Sequence, residues 1–202
     1  MAKASASQTN ILAMNTKPQS PETTIIAPAR YADLIGQINK HIGEFNAFLS
    51  DKYRLTIIDP ENPATYSNHI QGMPWGQQKY PACQNTPGVY ILCGPSEQDP
   101  ARLSAYVGKA SCSRFIGHRL WSHLHASYLA AKRQGVAFQG VYRYGRHPNS
   151  FLIEVILAVS TPTPPSMAAA LEEYIINAGL PGVQLFNANG RSPEKAAQNI
   201  VS

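Results

Sequence analysis

Gly88-Val89-Tyr90-Ile91-Leu92-Cys93 and, one loop later, Ser104-Ala105-Tyr106-Val107-Gly108-Lys109 are the stretches on which the fold turns. Both are short and rich in β-branched and aromatic residues, and both read as strands. The intervening residues 94–102 hold two prolines and two acids and read as the loop of a hairpin. Successive strand residues point to opposite faces, so Tyr90 lies opposite Val89 and Ile91, and Tyr106 opposite Ala105 and Val107. Pairing in register would then project both phenols from one face. Gly88 and Gly108 would leave that face open to a bulky ligand. Taken alone the pattern is ordinary, because tyrosine is common in strands and glycine starts hairpins.

On the C-terminal side, Ile116, Leu120, Leu124 and Tyr128 recur every four residues, which predicts a helix over 114–133 closed near Gly135. Residues 141–144 read as a short strand, 145–149 as a turn and 151–159 as the strongest strand of the chain. Pro162, Pro164 and Pro165 end that strand, and Ser166 caps a helix over 167–177 that Gly179 and Pro181 terminate. On the N-terminal side, Tyr31, Leu34, Ile35, Ile38, Ile42, Phe45 and Leu49 form one stripe of a helix over 29–50. Residues 54–58 read as a short strand. Residues 59–87 carry five prolines and read as a long structured loop in which Tyr66, Met73, Trp75 and Tyr80 need somewhere to pack. Residues 1–27, rich in Ala, Ser, Thr, Gln and Pro, read as a mobile tail.

The chain has 202 residues, 44% hydrophobic and 14% charged, which excludes a fully disordered chain and a highly charged coiled coil. The formal charge of +5 is unevenly spread. Residues 1–87 carry seven bases and six acids, residues 88–202 ten and six, and no acid occurs between Asp99 and Glu154. That interval contains Arg102, Lys109, Arg114, Arg119, Lys132, Arg133, Arg143 and Arg146, with His118, His123, His125 and His147. Surfaces usually mix their signs, so an anion-binding face is expected there. Cys83, Cys93 and Cys112 are odd in number and contain no Cys-x-x-Cys, which points to a reducing, cytoplasmic setting. The N-terminus lacks a signal-peptide core, and the longest apolar run, 151–159, is too short to span a membrane and contains Glu154.

Arg119 and His123 fall four apart on one helix face. Glu172 and Glu173 sit in a mostly apolar helix, where a carboxylate is costly unless paired or bound to metal, and one of the two is expected to be solvated. Cys112, His118, His123 and His125 match no common zinc spacing, and His118 and His123 lie on different faces of their helix.

Gly88-Val89-Tyr90, Tyr106-Val107-Gly108-Lys109, Arg119, Glu172 in its Glu-x-x-Ile-Ile setting, and Phe186-Asn187 together resemble the GIY-YIG nucleases, over residues 87–190. Arg119-x-x-x-His123 is similar to the type II restriction enzymes of that family. The resemblance implies an α+β fold: a small three-stranded antiparallel sheet flanked by helices over 87–202, with an N-terminal helical extension over 28–86. It implies a metal-dependent endonuclease acting on double-stranded DNA, of restriction or defence type. Glu172 would hold Mg²⁺ or Mn²⁺, and Arg119 would grip the scissile phosphate. Tyr90 or Tyr106 would take the proton of the attacking water, with Lys109 and His123 assisting, and Asn187 would order the site. Arg114, His118, Lys132, Arg133, Arg143 and Arg146 would touch the nucleic acid. The stretches 106–119 and 172–187 are long for the family, so Arg114 rivals Arg119 and Asn189 rivals Asn187. Glu172 fits the spacing better than Glu173. A non-catalytic nucleic-acid-binding module and an RNA or toxin-type nuclease are the alternatives. No membrane partner is expected, and the sequence leaves a homodimer open.

Overall fold

A computed structural model describes residues 29–59, 67–69, 86–111, 115–137, 141–146, 149–161, 164 and 166–188. The proposed tail 1–27, most of the proline-rich loop, Cys83, Cys112, Arg114, His147 and Asn189 lie outside the described residues.

The hairpin at the centre of the chain does form. Strands β2 (Gly88–Pro95) and β3 (Leu103–Ala110) pair antiparallel, with Tyr90 opposite Gly108 and Leu92 opposite Tyr106. β2 pairs on its other side with β6 (Val155–Ser160), antiparallel. The sheet is wider than the three strands expected. β1 (Ser67–His69) adds to the far side of β6, and β7 (Val183–Leu185) adds parallel to β3, giving the order β1-β6-β2-β3-β7. The added strands have three residues each, too few for alternation to reveal them. A separate hairpin pairs β4 (Tyr142–Arg146) with β5 (Asn149–Ile153). The long strand read over 151–159 is therefore two strands that part at Glu154, whose backbone N–H donates to the Cys93 carbonyl at 2.9 Å.

Among the described residues three α-helices cover the sheet. α1 (Ala32–Asn46) and α3 (Ser166–Ala178) lie on one face. Their Leu34, Ile35, Ile38, Ile42, Leu171 and Ile175 pack with Val89, Ile91, Ala105, Val107, Leu157 and Val159 into one core. The N-terminal helix thus shares its core with the sheet. α2 (Ile116–Arg133) covers the other face with Ile116, Leu120 and Leu124, against Tyr90, Leu92, Ile156 and Ala158, and Tyr142, Phe151 and Ile153 of the β4–β5 hairpin complete that second core. Tyr128, expected in the apolar stripe of α2, is half-exposed and outside this core.

Residues 54–58, expected as a strand, join no sheet. Their backbone is held instead by two asparagines seven apart on α1. Asn39 accepts from the Ile58 N–H and donates to the Ile58 carbonyl, both at 2.7 Å. Asn46 does the same for Leu55 at 2.8 and 2.9 Å. Each side-chain amide presents the donor and acceptor that a neighbouring strand would offer. Glu154, where β5 gives way to β6, is buried but satisfied: Tyr31 donates to it at 2.7 Å and Arg30 forms an ion pair with it. Among the described residues no helix is long and apolar enough to cross a membrane.

Candidate active site

β3 carries the site, and alternation divides it. Tyr106 and Gly108 face α2, whereas Ala105, Val107 and Lys109 face α3.

On the α2 side, Tyr90 and Tyr106 do share a face, with ring centroids 6.4 Å apart. The space at the glycines is filled from within the protein rather than left for a ligand, which corrects the expectation from sequence. A Cβ at Gly108 would lie 2.4 Å from both Cζ and the hydroxyl of Tyr90, so the phenol lies over the glycine across the ladder. A Cβ at Gly88 would meet the Val159 carbonyl at 2.1 Å and Ile116 at 2.8 Å, where the start of α2 closes onto the sheet.

Held in this way, the Tyr90 hydroxyl lies 2.8 Å from His123 Nε2. His123 sits among three phenols, with centroids 5.6 Å from Tyr90, 5.3 Å from Tyr106 and 5.5 Å from Tyr144. Tyr144, on β4, stacks on Tyr106 at 4.4 Å and 20°. Burial, and then the nearby Arg119 guanidinium, lower the His123 pKa to about 4, so its imidazole is neutral at pH 7. Burial, and then the neighbouring Tyr106, push Tyr90 far above the ordinary phenol value, while Arg119 partly opposes this. Tyr90 is therefore a protonated phenol hydrogen-bonded to a neutral imidazole, and it donates to Nε2 when His123 carries its proton on Nδ1.

Arg119 is the cation of this cluster. Its Nε is buried without a hydrogen-bond partner, and among the described residues no carboxylate forms an ion pair with it. Along the same flank of α2, Ala126, Ser127 and Ala130 line an open groove of about 530 Å³ whose far wall holds Val141, Arg143 and Gly145. Ser127 anchors that wall, accepting from the Arg143 N–H at 2.9 Å.

On the α3 side, Glu172 is 8% exposed and Glu173 is exposed, so Glu172 is the inward carboxylate. It forms an ion pair with Lys109. Asn187 sits just past β7, in a turn of 3₁₀ helix, Phe186–Ala188. Its Oδ1 accepts from the Val107 N–H at 2.6 Å, and its Nδ2 donates to the Val107 carbonyl at 2.5 Å. Because β7 pairs with β3 only as far as Ala105, the asparagine amide continues the ladder where the strand has ended.

The structure thus gathers Tyr90, Tyr106, Arg119 and His123 on one face of β3, pairs Lys109 with Glu172 on the other, and sets Asn187 at its edge. The proposed nucleic-acid contacts are more scattered. Lys132, Arg133 and Arg146 are exposed. Arg143 is exposed but engaged, donating to Glu97 Oε1 at 2.5 Å. His118 stacks on Phe115 at the start of α2, away from His123. Tyr144 was missed from sequence; its place in a short strand carries no motif, and its pairing with Phe151 across the β4–β5 turn was the available signal.

Among the described residues no three His, Cys, Asp or Glu side chains are grouped to hold a metal ion. That donor set does not suit Zn²⁺, which takes three or four protein ligands. A single buried carboxylate does suit Mg²⁺, which keeps several waters and takes further oxygens from a bound phosphate. Neither protein-family models, nor characterised proteins, nor solved structures gave a match to this chain.

Proposed function

We propose that the chain is a metal-dependent nuclease hydrolysing phosphodiester bonds in DNA, with a GIY-YIG-like core built on β6, β2 and β3. The observation that carries this reading is Arg119. A guanidinium half-buried among neutral phenols and a neutral imidazole, with a buried Nε–H left over and no carboxylate partner among the described residues, is an expensive arrangement unless an anion completes it. A phosphate matches its planar fork and draws further stabilisation as charge develops at phosphorus.

Lys109 and Glu172 lie on the opposite face of β3, so one phosphate meets both groups only around the edge of that strand. On that edge β7 ends at Ala105 and the Asn187 amide continues the ladder to Val107. Glu172 would hold the Mg²⁺ ion, with Lys109 as its present counter-ion. Mg²⁺ there supplies positive charge that polarises phosphoryl oxygen and water. With His123 in the tautomer that accepts from Tyr90, the phenol takes the proton of the attacking water as it passes its own to His123 Nε2, so the proton ends on the imidazole and no free phenolate forms. Tyr90 aligns His123 through their hydrogen bond, and Tyr106, stacked on Tyr144, leaves its hydroxyl to orient the attacking water.

Relaxation of supercoiled plasmid with and without Mg²⁺, by the wild type and by Glu172→Gln, tests the reading. Mg²⁺-dependent cleavage lost in Glu172→Gln, with DNA affinity retained, is the expected result. An intact plasmid under all conditions would reduce the chain to a nucleic-acid-binding module. Full activity of Glu172→Gln would remove the metal role.

A further inference from the structure

The flank of α2 turned away from Arg119 and His123 carries a second feature. His118, Trp121, His125, Tyr128 and Lys132 follow one another at alternating steps of three and four residues, so they form a single stripe along the helix. At 1.5 Å per residue the stripe is about 21 Å long. Trp121 is 51% exposed, and its indole lies flat on the His125 imidazole, with centroids 4.4 Å apart and planes at 12°. His125 in turn meets Tyr128 at 5.9 Å. Lys132, one turn further on, is exposed. The buried side chains of this helix are Ile116, Leu120 and Leu124, whereas in the stripe His118, Trp121 and Lys132 are exposed and His125 and Tyr128 are half-buried.

We propose that this stripe is a stacking platform for unpaired nucleotides, and that the substrate of the chain includes a single-stranded segment. The proposal takes its substrate class from the nuclease reading. Its own support is the platform and its charge. Flat, solvent-facing aromatic rings bordered by cations bind bases by stacking and track the backbone by charge. The other occupant that the repeat would suit is a second copy of the same helix. α2 has no acidic residue, so two copies meeting there would set Lys132 and Arg133 against cations. A polyanion is complementary to that surface. A helix with its side chains is about 10–12 Å across, so a few nucleotides connect the platform with Arg119.

Fluorescence anisotropy of the full chain with labelled oligothymidylate, oligouridylate and a blunt DNA duplex tests this. Trp121→Ala is expected to weaken single-strand binding about tenfold or more. Trp121→Phe, which keeps a ring, should recover most of that loss, and duplex binding should be nearly unchanged in both. The two single-stranded arms tell DNA from RNA. Circular dichroism confirms that the variants fold, and sedimentation reports association. Wild-type single-strand affinity in Trp121→Ala overturns the platform, as does a dimer of the wild type that this substitution dissolves. The two readings fail separately. Trp121-dependent binding with no Mg²⁺-dependent cleavage of either plasmid or single-stranded DNA refutes the nuclease alone, and Glu172-dependent cleavage with binding indifferent to Trp121 refutes the platform alone.

Discussion

Replacing Gly108 by alanine tests the site through one methyl group. The added Cβ would stand 2.4 Å from Cζ and Oη of Tyr90, well inside contact distance. Tyr90 is fully buried, so its ring has no room to swing aside. The backbone at Gly108 does not occupy the positive-φ region, so the cost is steric and not conformational. Overpacking of this kind costs about 1–3 kcal/mol, and a displaced Tyr90 also loses its bond to His123, about 0.5–1.5 kcal/mol. Urea unfolding should therefore show Gly108→Ala destabilised by roughly 2–4 kcal/mol, and turnover should fall with it. In a Tyr90→Ala background the obstacle is gone. There the same substitution should be neutral or stabilising by up to ~1 kcal/mol, because alanine restricts the unfolded chain. The double-mutant cycle isolates the contact. Equal costs in the two backgrounds would refute the role assigned to Gly108 as the floor beneath the phenol.

The depressed pKa of His123 has a sign that titration can check. The unfolded chain takes up a proton as pH falls through 6.5, while folded His123 resists until about 4. Stability should therefore drop between pH 6.5 and pH 4 by roughly 3 kcal/mol, and His123→Gln should flatten that part of the profile of urea midpoints. Tyr90→Phe and Tyr106→Phe keep the rings and should fold, yet lower single-turnover cleavage by ~10²-fold or more with DNA affinity little changed; normal turnover in the double variant would reduce the hairpin to a structural element. Arg119→Ala should abolish turnover at saturating DNA far more than Arg114→Ala does, and equal losses would contradict the choice between them. Asn187→Ala removes both bonds to Val107 and should cost about 1–3 kcal/mol in urea unfolding; an unchanged midpoint would show that β3 holds its course without it.

Where local pattern and tertiary position agree, the sequence is legible. The stripe from Tyr31 to Phe45 and the alternation around Tyr90 and Tyr106 place α1 and the two phenols correctly, because burial on one face is written in the residue types. Residues 54–58 have a strand composition, but what they pair with is a helix carrying Asn39 and Asn46, and no local pattern reveals a side-chain partner. The 151–159 run looks unbroken because Glu154 is a single residue, and its neutralisation by Arg30 and Tyr31 lies far away in sequence. Gly108 illustrates the limit within the site. Its smallness signals a close approach, but which group approaches follows from the register that sets Tyr90 across from it.

The asparagine clamps on α1 have a consequence for hydrogen exchange. Leu55 and Ile58 donate their amide protons to side chains of α1, so their exchange depends on opening of the helix and not of the sheet. In deuterium these two amides should stay protected together with the interior of α1, although they lie in a segment without regular structure. Slow exchange there would identify residues 32–58 as one cooperative unit that opens as a whole, on the face of the sheet opposite Tyr90 and His123.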